Sequence, residues 1–95
     1  RRKIERVGNM NYPTQASRQG IHGNLILRVS IRRDGSLESV TLVESSGHAV
    51  LDDAAMRIVR LAAPFGPFVG DLGEFGLLEI TRTWRFEPGD RISSF

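Results

Sequence analysis

Few side chains in this 95-residue chain could do chemistry. The candidates are His22 and His48, the serine pair Ser45-Ser46, and the acids Asp52 and Asp53. His48 and Asp52 are four apart, so on a helix they would share a face. A zinc site needs three or four ligands, and only His22 could join them. The pair reads instead as a residue at a helix start beside a first-turn carboxylate. A serine nucleophile needs a base within reach, an acid to orient that base, and an oxyanion hole. Ser45 and Ser46 stand where a helix needs a cap, a position serine fills well. Asp52 and Asp53 are adjacent and point about 100° apart on a helix. They suit the positive end of a helix dipole rather than a carboxylate pair. Gly20-x-x-Gly23 and the stretch from Gly66 to Gly76 lack the spacing of a phosphate loop and its Gly-Lys-Ser/Thr. With no cysteine, disulfides, thiolate metal sites and thiol catalysis are excluded. The residues point to a binding module with no enzymatic activity, no cofactor and no metal.

The arginines are the next candidates. Thirteen Lys and Arg face eleven Asp and Glu, and every basic residue but Lys3 is arginine. A net charge of +2 argues little for a nucleic-acid partner. Arg28, Arg32, Arg33, Arg82 and Arg85 could line one face of a sheet, but such a face would interleave stacking aromatics. Tyr and Trp occur once each, and Trp84 falls on the side expected to be core. Arginine also serves hydrogen-bonded recognition of protein surfaces. Nucleic acid is therefore not the expected partner.

The elements that must position these residues follow from pattern. The length supports one domain over residues 1–95, with a core from about 8 to 87. Arg1 to Gly8 has the makings of a short helix, and residues 88–95 read as a frayed tail. No apolar run is long enough to cross a membrane. The start at Arg1-Arg2-Lys3, without methionine, suggests a piece of something longer, with any anchor or signal upstream. Pro13 fits the first position of a helix running to Gln19, and Gly20 is its expected stop.

The period then changes to two. Leu25, Leu27, Val29 and Ile31 alternate with Arg28, Ser30 and Arg32, as a half-buried strand does. Asp34-Gly35 is a hairpin signal. The returning strand spans roughly Leu37 to Glu44, with Val40 and Leu42 on one face and Leu37 out of phase, which predicts either a bulge or a residue still in the turn. A helix follows from about Ala49 to Ala63, its apolar stripe made of Leu51, Ala54, Ala55, Ile58, Leu61 and Ala62, and Pro64 ends it. Phe65 and Phe68 in the next connection should fold back onto the core. The last strand runs from Leu77 to Phe86, with Leu78, Ile80, Trp84 and Phe86 on the apolar side and Arg82 breaking the pattern.

Helix, strand, strand, helix, strand is satisfied by an α+β fold: a three-stranded antiparallel sheet with two helices on one face. The hairpin pairs the first two strands, and the last lies beside the first. The order 2-1-3 leaves the third strand at an edge, where unpaired backbone groups could meet an extended peptide. Such an edge is either protected, paired in a homodimer, or used for recognition by strand addition.

At this point the residues resemble the C-terminal domain of TonB proteins. The resemblance rests on Tyr12-Pro13, Gly20-Ile21-x-Gly23, Asp34-Gly35, Ser45-Ser46-Gly47, Leu51-Asp52 with Ala54-Ala55, Pro64-Phe65-x-Pro67-Phe68 and Thr81-x-Thr83-Trp84-x-Phe86. Glu5 to Asn9 is similar to the version common among TonB proteins of pseudomonad type. Val69 stands where many members have proline, and Asn9-Met10-Asn11 replaces a glutamine-rich approach to Tyr-Pro.

The resemblance implies a periplasmic module, anchored to the inner membrane by an upstream helix and a proline-rich linker. Such a module couples an inner-membrane proton-driven motor complex to outer-membrane transporters of iron chelates or similar nutrients. It also implies that a short transporter segment, the TonB box, adds as a strand beside the last strand. The contact residues would then be Leu77, Leu78, Glu79, Ile80, Thr81, Arg82, Thr83, Trp84, Arg85 and Phe86. Asn9, Met10, Asn11, Tyr12 and Pro13 would lie near the transporter plug. A TolA-like envelope domain, or an edge-to-edge homodimerisation module, are the alternatives.

Overall fold

The computed structural model describes residues 19–65, 76–87 and 91–94. In chain order the elements are β1 (Gly23–Arg32), β2 (Leu37–Glu44), α1 (Ala49–Ala62), β3 (Leu77–Glu87) and β4 (Arg91–Ser94). They form one antiparallel sheet of order β2-β1-β3-β4 with one helix among the described residues. The expected helix from Pro13 lies outside the described residues except for Gln19, which is helical. Gly20 follows it at φ 65°, as the expected stop requires.

Two expectations are corrected. The sheet has four strands rather than three, and the expected tail supplies the fourth. Trp84, Arg85, Phe86 and Glu87 pair with Ser94, Ser93, Ile92 and Arg91. The physical reason is Ile92, which lies opposite Phe86 and is only 2% exposed. One aliphatic side chain with core to fill draws the short segment onto the sheet.

The hairpin forms as its sequence demands. Gly35 takes φ 92°, and its N–H donates to the Arg32 carbonyl at 2.9 Å, while the Arg32 N–H donates to the Ser36 carbonyl at 2.8 Å. Asp34 Oδ1 accepts from the Ser36 N–H and hydroxyl, a side-chain turn that fixes the loop. The bulge near Leu37 is present. Ser30 pairs with Ser39 but Ile31 with Leu37, so Glu38 is the extra residue. Arg32 straddles it, ion-paired to Glu38 and donating to the Leu37 carbonyl. A second irregularity falls between Ile26–Glu44 and Leu27–Leu42, where Val43 is surplus and stands 46% exposed.

The core sits between α1 and one face of the sheet. Leu25, Leu27, Val29 and Ile31 of β1, Trp84 and Phe86 of β3, and Ile92 of β4 meet Leu51, Ala54, Ala55, Ile58 and Val59 of α1. Phe65 packs against this cluster from beyond the helix, as expected, and its N–H reaches the Gly35 carbonyl at 2.7 Å. Phe68 lies outside the described residues. The apolar stripe of α1 is rotated from the sequence reading: Val59 is fully buried and Leu61 is 54% exposed. The helix lies over β2 and β1.

Candidate functional site

The first place to look is where Ser45, Ser46, His48 and Asp52 converge. The structure brings three of them together, with the roles reversed from the capping expectation. His48 is the N-cap residue of α1 and no side chain caps the helix. Asp52, one turn in and 7% exposed, reaches back instead. Its carboxylate accepts from the Ser45 hydroxyl at 2.5 Å, the Ser46 N–H at 2.9 Å and the Ser46 hydroxyl at 2.8 Å. The two serine oxygens in turn accept from the N–H groups of Gly47 and His48. Burial pushes the Asp52 carboxyl up, but these hydrogen bonds outweigh it and hold the group below its ordinary value. A carboxylate so stabilised is a poor base, and the hydroxyls already spend their protons on it. The cluster ties the end of β2 to the start of α1. Among the described residues no group of three or more His, Asp or Glu could hold a metal.

The sheet edges remain. In antiparallel pairing each residue turns both its N–H and its C=O to the same side, alternating along the strand. Arg32 uses both groups toward the turn and β2. The odd residues of β1 therefore face β3. Register between β1 and β3 is unbroken from Gly23–Phe86 to Arg32–Leu77. It follows that Leu78, Ile80, Arg82, Trp84 and Phe86 bond to β1, while Leu77, Glu79, Thr81, Thr83, Arg85 and Glu87 turn their backbone groups outward. One contact agrees with this parity: Arg82 Nη1 donates to the Thr81 carbonyl at 3.0 Å, a carbonyl that β1 does not take.

This outer edge is in two halves. Beside Trp84–Glu87 it is occupied by β4. Beside Leu77–Thr83 no described strand pairs with it. Of the residues expected in the contact strand, Trp84 and Phe86 are each 1% exposed and belong to the core. Leu78 and Ile80 are half-buried, packed against the core cluster. Glu79, Thr81 and Arg82 are exposed, and Thr83 is half-buried. Arg85 is exposed and stands 3.9 Å from the Glu87 carboxylate. Asn9, Met10, Asn11, Tyr12 and Pro13 lie outside the described residues. The role of β4 is what sequence reasoning missed. The signal was small: Arg91-Ile92-Ser93, one aliphatic residue between polar ones, after the turn dipeptide Pro88-Gly89.

The opposite edge, β2, is less suited to pairing. Its two irregularities interrupt the alternation of outward groups, and bulges are a common way of blunting an edge. The regular open edge of the described sheet is Leu77–Thr83.

Three comparisons bear on this arrangement. The family model described as Gram-negative bacterial TonB protein C-terminal matches residues 8–88. Protein tonB2 of Pseudomonas aeruginosa is 33% identical over 69 residues, covering 73% of this chain and 26% of that protein. The chain thus spans about a quarter of that curated relative's length. The NMR solution structure of the Helicobacter pylori TonB C-terminal domain matches with a TM-score of 0.67 at 24% identity. The match covers 90% of this chain and 77% of that one, a likeness of fold.

Proposed function

The chain belongs to the family of Gram-negative TonB protein C-terminal domains, and from that premise we propose that it is the periplasmic receptor-engaging part of an energy transducer. In this reading it binds the TonB box of outer-membrane transporters as an added strand on the outer edge of β3. It passes on mechanical work drawn from an inner-membrane proton-driven motor complex, which would be reached through an upstream segment. The transporters would take up iron chelates or similar nutrients. Asn9 to Pro13 would meet the transporter plug.

The observation that carries this reading is the edge at Leu77–Thr83, which no described strand pairs, with the backbone groups of Leu77, Glu79, Thr81 and Thr83 turned outward in unbroken alternation and the Thr81 carbonyl also accepting from Arg82. Backbone pairing supplies grip with loose sequence demands, and tethering lets a moderate affinity suffice. Arg82 weighs against self-pairing of two such edges. It is an exposed cation on the otherwise apolar face of an edge segment, a device that discourages edge-to-edge association. That favours a partner of different sequence over the homodimer alternative.

The test is a titration of isotope-labelled protein with a synthetic TonB-box peptide, followed by NMR. Shifts and new amide protection concentrated on Leu77, Glu79, Thr81 and Thr83 are expected. A folded protein with no shifts at millimolar peptide would overturn the reading and turn attention to a TolA-like partner.

A further inference from the structure

The outer face of α1 belongs neither to the core nor to the β3 edge. Leu51, Ala54, Ala55, Ile58, Val59 and Ala62 are buried on the side of the helix that meets the sheet. On the far side Asp53, Arg57, Arg60 and Leu61 are exposed and Val50 is half-buried. These five follow one another at i, i+3, i+7, i+10 and i+11, the spacing of a seam along one side of a helix. Val50 and Leu61 lie on one flank of the seam, Arg60 on the other, with Asp53 and Arg57 between. Among the described residues only Val43 and Leu61 are large, apolar and exposed, Leu61 to 54%. Asp53, Arg57 and Arg60 form no ion pair among the described residues, although Asp53 and Arg57 are four apart in the order that favours one.

We infer that the occupant of this face is a second copy of the chain. The two α1 helices pack antiparallel about a two-fold axis at the level of Ala55.

The order of the charges argues for it. In a two-fold contact, residues that meet lie equally far from the axis on opposite sides of it. With the axis level with Ala55, Asp53 meets the partner's Arg57 and Val50 meets the partner's Leu61, each to within the rise of one residue, about 1.5 Å. Both contacts occur twice. Arg60 approaches the same carboxylate from the other flank. Antiparallel packing also sets the two helix dipoles head to tail. An acidic peptide would be drawn to Arg57 and Arg60 but repelled by Asp53, and a basic one the reverse. The seam is acidic toward one end, basic toward the other and apolar along one flank, and it matches a copy of itself turned end for end. The helix has 14 residues, so the contact is smaller than a standard interface and the association is weak and transient. It does not compete with the strand edge, because α1 lies over β2 and β1. The pair therefore presents two β3 edges.

The test reverses charge in both directions. Sedimentation velocity from about 10 µM to 1 mM is expected to show wild type passing from monomer toward dimer. Asp53→Arg alone and Arg57→Glu alone each set like charges against one another, and each is expected to weaken self-association by about tenfold or more. Mixed together, the two variants should associate again, because the introduced arginine then meets the introduced glutamate and the native Arg57 meets the native Asp53. Leu61→Ser should weaken association without changing charge. The substituted positions are exposed, and circular dichroism checks that the helix is intact. Thr81→Pro, which blocks the β3 edge, should dimerise as wild type does. A wild-type protein that stays monomeric at about 1 mM overturns the inference. So does a dimer that persists in both charge variants, and one lost in Thr81→Pro would place the contact at the sheet edge instead. Failure of the mixed variants to associate would refute the antiparallel register.

Discussion

Proline at position 81 separates binding from folding, because the Thr81 N–H faces outward. In Thr81→Pro the sheet loses nothing internally: β1 is bonded by the even residues of β3 on either side. Ile80, now preceding proline, is already extended, as it must be. Proline is tolerated on an edge strand whose N–H side is free. The stability cost should be about 1 kcal/mol, the span of strand preferences. Binding fares worse. The added strand loses the bond to the central outward N–H, worth about 0.5–1.5 kcal/mol net, and its own carbonyl is left unsatisfied. The ring also holds the partner away from its neighbours at Glu79 and Thr83. Together these losses come to about 1–3 kcal/mol, or roughly 5–150-fold in Kd. Titration calorimetry with a TonB-box peptide, alongside circular dichroism, would read both effects. Arg82→Pro is the contrast, since its N–H faces β1 opposite Leu27, and it should destabilise the fold itself. A folded Thr81→Pro protein that binds the peptide with wild-type affinity would refute both the parity argument and the docking edge.

Three further outcomes follow from the packing. Asp52→Asn should destabilise the protein by about 2 kcal/mol in urea denaturation, because a buried carboxylate that accepts three hydrogen bonds is replaced by an amide that must point a donor at one of them. The folded-state carboxyl is held below its ordinary value, so its contribution is full above the unfolded value, about 3.9, and is lost as pH falls through the folded value. The gap between wild type and Asp52→Asn should thus be constant near neutrality and close on acidification, and a gap independent of pH would show that the carboxylate's charge is irrelevant. Leu51→Ala, at a fully buried site, should cost about 2–5 kcal/mol by thermal or urea unfolding. Gly35→Ala forces a β-carbon into φ 92° at the hairpin turn; it should cost about 1 kcal/mol or more, and no loss would contradict the turn geometry.

Much of this arrangement is legible in the amino-acid sequence. Alternation marks β1 because one face is buried by the helix while Arg28 and Arg32 on the other are exposed, and Asp34-Gly35 marks its turn because few other dipeptides allow the backbone bend. The period of the helix is equally plain, though Leu61 and Val59 exchange places. Val59 and Leu61, two residues apart, flank the stripe on opposite sides, so a small roll of the helix buries one or the other, and the sheet decides which. The order of β1 and β3 follows from connection rules, but the extent of the edge does not. Ile92 sits in a segment too short to show a period, and its pairing depends on the space left beside Phe86. The Ser45-Ser46 and Asp52 constellation is visible as spacing, while its direction is not. Only the structure tells that the carboxylate reaches back to the serines.

A domain proposed to pass force needs its grip on the strand best tied to the rest of the fold. The β3 strand meets that condition on both sides of one backbone. Its even residues hold β1 through an unbroken register, and Trp84 and Phe86 anchor it in the core. Its odd residues from Leu77 to Thr83 are left to hold something else. A strand added there and drawn along its own axis shares the pull among several hydrogen bonds at once instead of opening them singly from one end. The bulged β2 edge would interrupt such a row twice. The division of β3 into inward and outward residues therefore lets one strand serve as both structural centre and gripping surface, and a bulge introduced between Glu79 and Thr81 should weaken partner grip under load more than it weakens equilibrium binding.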